Sequence, residues 1–212
     1  MIDRFPIPQF NQLTTPFYYY DLEVLRATID AVKQQVDSNP FQVHYALKAN
    51  ANPKLLKIIK DAGFGADCVS GGEVQAALNA GIAADKIVFA GVGKADWEIN
   101  LGIDQEIFCF NVESLPELET IHELAAQKNK IARVALRINP DVQANTHAYI
   151  TTGLEENKFG INLSELDEVL QKVKVLRNIA LIGMHVHIGS QITDMSPYAD
   201  MCGKINELQL HF

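Results

Sequence analysis

Val43-His44-Tyr45-Ala46-Leu47-Lys48-Ala49-Asn50-Ala51-Asn52-Pro53 is a β-branched and aromatic run that ends on a lysine and passes through Asn-Ala-Asn-Pro. The run reads as a short strand, and the proline behind asparagine as the first turn of a helix. Lys48 is therefore expected at the carboxyl end of a strand, where parallel α/β proteins keep their chemistry. Strand alternation puts His44, Ala46 and Lys48 on one face and Val43, Tyr45 and Leu47 on the other. A lysine in that place either reaches water or loses its charge, and a Schiff base with a carbonyl compound is one way to lose it.

The chain on either side repeats the strand-then-helix pattern. Before it, residues 1 to about 16 carry several prolines and little periodicity, 17–21 reads as a strand, and 22–38 as a helix with Leu22, Leu25, Ile29, Val32 and Val36 at helical spacing. After it, strands are expected over 65–69, 86–90, 107–110, 132–138 and 180–188. Helices are expected over 53–62, 70–80, 95–101, from Ser114, over 164–175 and over 197–212. Ser114-Leu115-Pro116-Glu117 is a helix start with a proline in the first turn and a glutamate three residues after the serine. This alternation calls for a parallel sheet with helices outside it. About six βα units fit either a doubly wound sheet or a (β/α)8 TIM barrel with two units to come, since eight strands close at roughly 250 residues. No Gly-x-Gly-x-x-Gly turn follows the first strand, which gives the dinucleotide-binding version little support.

With 212 residues, 48% of them apolar, the chain can bury a sizeable core. A net charge of −8 argues against a nucleic-acid partner or an anionic membrane surface, which call for clustered lysine and arginine, and favours small-molecule partners. Cys68, Cys109 and Cys202 are far apart, with no Cys-x-x-Cys pair, so reduced thiols are expected rather than a disulfide framework or a zinc site. The opening Met1-Ile2-Asp3-Arg4-Phe5-Pro6 lacks the layout of a secretory signal, and no apolar run approaches the roughly 20 residues of a membrane helix. A soluble, cytoplasmic protein is expected.

The placement of polar residues is more telling. Lys48, Asp67, Arg137, His185 and His187 all lie at or near strand carboxyl ends, at the parity that points into a barrel. Ionisable groups converging there need partners or a ligand. His185-x-His187 would put both rings on one face, but a zinc site needs a third ligand for which no motif is present, and no metal is expected. His185 alone reads as a satisfied core histidine. His187 leads into Ile188-Gly189-Ser190, a glycine and a hydroxyl suited to close approach of a phosphate or ring. About 25 residues of loop follow the fifth strand, longer than an idle connection.

Five stretches carry a family resemblance: Tyr45-Ala46-Leu47-Lys48-Ala49-Asn50, Gly65-Ala66-Asp67-Cys68-Val69-Ser70-Gly71-Gly72-Glu73, Ala135-Leu136-Arg137-Ile138-Asn139-Pro140, Thr152-Gly153-Leu154-Glu155-Glu156-Asn157-Lys158-Phe159-Gly160-Ile161, and His185-Val186-His187-Ile188-Gly189-Ser190-Gln191. In order and spacing they resemble the diaminopimelate decarboxylases along essentially the whole chain. The resemblance implies a carboxy-lyase with an alanine-racemase-like barrel and pyridoxal 5′-phosphate as cofactor. Such an enzyme removes the carboxylate at the D-centre of meso-2,6-diaminopimelate to give L-lysine, the last step of lysine biosynthesis. It also implies that Lys48 carries the cofactor covalently, that His187 stacks on its ring, and that Gly189 and Ser190 lie near its phosphate. Asp67 and Arg137 would belong to the polar network around the ring edge and Lys48. The loop with Glu156-Asn157-Lys158-Phe159-Gly160 would lie where it could cover the site, or serve only as a connection.

The same resemblance implies parts that these 212 residues do not contain: a triple-glycine phosphate loop, a Glu-Pro-Gly-Arg segment that pairs with the pyridine nitrogen, and a C-terminal β-domain with a Cys-Glu-Ser motif used across a homodimer with shared active sites. Residues 1–21 would join that β-domain, and 22–212 would form a partial barrel. The chain alone is then expected to be inactive, with unpaired strands at its sheet edges. Other readings are an ornithine-, arginine- or carboxynorspermidine-type decarboxylase, or a non-catalytic pyridoxal-phosphate-binding protein. Alanine racemase is disfavoured, because Ala51-Asn52-Pro53 stands where its lysine motif has Tyr-Gly-His-Gly.

Overall fold

The computed structural model of the chain describes residues 5–139, 159–190 and 192–211. Contacts divide it into two compact units, Met1–Gln42 and Val43–Phe212. The first contains a single helical turn, α1 (Ile7–Phe10), and α2 (Leu22–Val36). Asp21 starts α2 by accepting the Glu23 and Val24 backbone N–H groups at 3.0 and 3.1 Å. The strand expected over 17–21 is not formed. Its aromatic side chains pair locally instead, the Phe10 ring lying 5.3 Å from Phe17 and 5.0 Å from Tyr19.

The second unit carries β1 (His44–Ala46), β2 (Gly65–Cys68), β3 (Ile87–Phe89), β4 (Cys109–Val112), β5 (Ala132–Arg137) and β6 (Ile179–His185). Between and after them run α3 (Pro53–Asp61), α4 (Gly71–Asn79), α5 (Asp96–Gln105), α6 (Leu115–Gln127), α7 (Leu166–Val173) and α8 (Ser196–Leu208). All the strand pairings are parallel, in the order β1-β2-β3-β4-β5-β6. Each strand lies beside its predecessor. A doubly wound sheet would reverse direction at a switch point, so this is the barrel order left open by the periodicity alone. Among the described residues β1 and β6 each have one strand neighbour. No helix among those residues is long and apolar enough to cross a membrane.

The two faces of the sheet differ in kind. Outward-facing Cys68, Phe89, Phe110, Val112, Val134 and Leu136 are at most 1% exposed and pack with Leu56, Val74, Ile99, Leu118 and Ile121 of the helices. Each such large apolar side chain contributes roughly 1.5–3 kcal/mol when fully buried, so this layer holds the sheet. The inner face carries Asp67, Val88, Cys109, Asn111, Ala135, Gly183 and His185 around a cleft of about 350 Å³.

Two local features set which residues reach that face. The fourth strand was expected over 107–110, but α5 continues to Gln105 and closes on a left-handed Glu106 (φ 55°). The Ile107 N–H bonds back to the Gly102 carbonyl, so Ile107 belongs to the helix cap and the strand starts at Cys109. In β6, Val134 pairs with Leu181 but Ala135 pairs with Gly183, leaving Ile182 as an extra residue. This bulge flips the alternation and brings His185 level with Arg137 on the inner face.

Candidate active site

Lys48 lies just beyond β1. The strand ends at Ala46 and the chain turns through a 3-10 segment, Leu47–Ala49, in which Leu47 is buried and Lys48 is exposed. The turn is tied down on both sides. The Tyr45 hydroxyl donates to the Asn50 carbonyl at 3.0 Å, the Asn50 side chain accepts the Asn52 N–H at 3.0 Å, and the Asn52 side chain caps α3 by accepting the Lys54 N–H at 2.9 Å. A primary amine is thereby presented from an anchored turn.

Asp67, on the inner face of β2, pairs in register with Ala46. Burial pushes its carboxyl above the usual carboxylate range, while the charges of Lys48 and His44 pull it back, Glu73 raises it and His187 lowers it. Lys48, His44 and His187 thus act on one half-buried carboxyl group. His44 is held below its ordinary value by burial, against the carbonyls of Ala66 and Lys86 and the Asp67 charge. Neither carbonyl completes a hydrogen bond to Nδ1, which is buried without a partner, as is Nδ1 of His185.

Arg137 closes the other side. Its Nη1 donates to both carboxylate oxygens of Glu113, at 2.7 and 2.9 Å, with the side chains 13% and 4% exposed. The Phe159 ring lies 5.6 Å from the guanidinium. Gly160 has φ +85°, and a Cβ there would stand 3.0 Å from the Arg137 carbonyl oxygen, so glycine is required for this close approach. Ile161 continues the contact, its N–H bonding to the Arg137 carbonyl at 2.8 Å. His185 is pushed down to about 4, first by burial and then by the charges of Arg137, His187 and Lys94. It is a neutral ring with an unmet nitrogen in a polar cleft, rather than the satisfied core histidine of the sequence reading.

Lys48, Asp67, His185 and His187 therefore gather at the carboxyl end of the sheet, and Arg137 joins them through His185. Gly189 (φ +120°) and the exposed Ser190 lie on the segment leaving β6. Gln191 and the Glu156-Asn157-Lys158 part of the long loop fall outside the described residues. Sequence reasoning missed Asn111, Glu113, Lys94 and Glu117. Asn111 and Glu113 follow Cys109 at strand parity, a signal hidden by ending the strand at Phe110. Glu117 was seen only as part of a helix start. Its second role, as the partner of buried Lys94 at 2.6 Å, has no local signature.

An exposed amine on an anchored turn, a half-buried carboxyl on the adjoining strand and the imidazoles of His44 on β1 and His185 on β6 fit a carbonyl-bearing cofactor with an ionisable ring. Polar atoms of the cleft that lack partners, the two Nδ1 atoms above all, leave room for further hydrogen bonds.

Comparison with known proteins agrees with this geometry. The profile of the family described as pyridoxal-dependent decarboxylase, pyridoxal binding domain, matches residues 22–209. A diaminopimelate decarboxylase of Bacteroides thetaiotaomicron is 63% identical over 206 residues, which are 97% of this chain and 53% of that protein. The Aquifex aeolicus diaminopimelate decarboxylase is 42% identical over 194 residues, covering 92% of this chain and 46% of its own length. Among solved structures, a mutant diaminopimelate decarboxylase from Helicobacter pylori complexed with L-lysine superposes with a TM-score of 0.90 at 38% identity, covering 97% of this chain and 52% of that one. The chain spans about half the length of the relatives it matches.

Proposed function

Because the chain belongs to the pyridoxal-dependent decarboxylases through their pyridoxal-binding domain, we propose that it supplies the cofactor-holding side of a diaminopimelate decarboxylase site. The whole enzyme would convert meso-2,6-diaminopimelate to L-lysine and carbon dioxide. The observation that carries this reading is the exposed amine of Lys48 on its anchored turn, next to half-buried Asp67 at the carboxyl end of a barrel sheet. The identities of 63% and 42% to proteins of that name favour diaminopimelate over an ornithine- or arginine-type substrate.

Each residue then has a task. Lys48 Nζ would hold the cofactor, and its amine would carry a proton to or from substrate. Asp67 holds countercharge next to that amine. His187 would stack on the cofactor ring, and Gly189, with no side chain, and Ser190, with its hydroxyl, suit close approach of a phosphate. Arg137, paired with Glu113, would form the rim of the site on the β5 side. When bound, pyridoxal 5′-phosphate supplies the electron sink for the pair released as carbon dioxide leaves. The family's phosphate loop, pyridinium partner and β-domain are not in these 212 residues, and with that β-domain we assign residues 1–21, a boundary supported by the family match starting at residue 22. The same reading makes the whole enzyme a cytoplasmic homodimer with shared active sites.

The test is to incubate the chain with pyridoxal 5′-phosphate, reduce with borohydride and map the modified peptide by mass spectrometry. One adduct per chain, confined to Lys48 and abolished in Lys48→Ala, is expected. Labelling scattered over surface lysines, still scattered after the family's second half is added in trans, overturns the assignment. Release of carbon dioxide from meso-2,6-diaminopimelate is expected only with that half present, and turnover by the 212-residue chain alone would refute the proposed division of the site.

A further inference from the structure

Behind Glu113 stands a second buried ion pair for which the chemistry above has no use. The side chains of Lys94 and Glu117 are 1% and 12% exposed. An ammonium has three N–H groups to satisfy, and here they meet the Gly91 carbonyl at 2.8 Å, the Asn111 carbonyl at 2.9 Å and Glu117 Oε1 at 2.6 Å. The Phe89 ring faces the ammonium at 5.4 Å. Glu117 Oε2 accepts the backbone N–H of Glu113 at 2.8 Å, one residue beyond the Ser114 cap that an ordinary capping box would serve.

One lysine thus joins the loop after β3, the end of β4 and the first turn of α6. The loop is itself fixed: Gly91 has φ +106°, and a Cβ there would come 3.3 Å from the Val69 carbonyl oxygen. The chain leaving β4 is held at consecutive points, by the Asn111 carbonyl through Lys94 and by the Glu113 amide through Glu117. Glu113 emerges from that held backbone onto Arg137 Nη1. A buried ion pair seldom stabilises a fold more than apolar side chains of the same volume. What this one supplies is direction.

We propose that Lys94 and Glu117 are positioning residues, whose buried pair fixes the carboxyl end of β4 so that the Glu113 carboxylate is aimed at Arg137 on the rim of the site. Its bearing on catalysis rests on the cofactor reading above, but the geometry can be tested without any cofactor. The probe is the guanidinium of Arg137, followed by NMR in the 15N-arginine-labelled chain and assigned with Arg137→Lys. In K94M/E117Q the glutamine oxygen can still accept the Glu113 N–H but the ties to the Gly91 and Asn111 carbonyls are lost, and exchange of the Arg137 N–H protons is expected to be about threefold faster than in the parent. In K94M/E117L that acceptor is gone, and exchange is expected to be about tenfold faster or more. Unchanged exchange in the leucine double, or equal acceleration in both doubles, overturns the proposal. Should the leucine double not fold, Lys94→Met alone decides. Faster Arg137 exchange at unchanged far-UV circular dichroism is expected, and unchanged exchange overturns it. Lys48 labelling in the same variants is a separate arm: its failure in the parent counts against the cofactor reading and leaves the Arg137 result standing.

Discussion

Replacing Glu113 with alanine removes the carboxylate and leaves the guanidinium of Arg137 in place. With the two side chains 4% and 13% exposed, water screens this pair little. The guanidinium would lose two acceptor contacts, at 2.7 and 2.9 Å, and keep the Phe159 ring at 5.6 Å. Breaking one side of a buried pair destabilises by about 3–5 kcal/mol, because the survivor is an uncompensated buried charge. That is a large part of the roughly 5–15 kcal/mol that keeps a domain folded. With a urea dependence of about 2 kcal/mol per molar, the unfolding midpoint should fall by about 1.5–2.5 M. The assay is urea denaturation at pH 7 followed by far-UV circular dichroism. Glu113→Gln keeps the shape and one acceptor and should fall between the two. E113L/R137M, which removes both charges, should lie within about 1 kcal/mol of the parent. A shift below about 0.5 M for Glu113→Ala would refute the reasoning, since Arg137 would then owe nothing to Glu113.

Two further outcomes follow from the same cleft. His185 takes a proton near pH 6.5 when unfolded but only near pH 4 when folded, so its contribution is whole above 6.5 and lost as the pH falls through that window. A gap of that size corresponds to about 3 kcal/mol, and His185→Asn should flatten the pH dependence of the urea midpoint between pH 7 and 4.5. Parallel curves would contradict it. The raised carboxyls of Asp67 and Glu117 act in the opposite sense, favouring the folded state as pH falls below their folded values, but do so equally in both chains. Gly160→Ala should destabilise by about 1–2 kcal/mol from the left-handed backbone alone. Its Cβ would also press on the Arg137 carbonyl oxygen at 3.0 Å, so Arg137 N–H exchange should quicken, and an unchanged spectrum would show that the approach is not tight.

The barrel class was legible because strand and helix periods alternate cleanly, and the strand order of the structure then removed the doubly wound alternative. Lys48, Asp67, Arg137, His185 and His187 were legible because each is a polar residue at the end of an apolar run. The strand over 17–21 was misread: aromatic composition satisfies the pattern of a strand, but a strand also needs a ladder partner, which composition does not reveal. Glu113 and Lys94 were illegible for another reason. Their partners lie 24 and 23 residues away in sequence, and a lysine or glutamate next to a turn reads as solvated unless the burying contact is known.

His185 shows why a residue can be read at the right face on incomplete grounds. Counted from Ile179, simple alternation would give His185 the outward orientation of Ile179, among the helices. The structure turns it inward because the extra residue Ile182 breaks that count. The bulge lets the first half of β6 offer Ile179 to the core while the second half offers Gly183 and His185 to the cleft. A flat strand with this sequence would have to expose one or bury the other without partners. The same separation runs through β4, where Phe110 and Val112 anchor the outer layer while Cys109 and Asn111 line the inner one. The close-packed outer layer supplies the stability, which frees the inner face to carry two imidazoles with unmet Nδ1 atoms, a half-buried carboxyl and a clamped guanidinium.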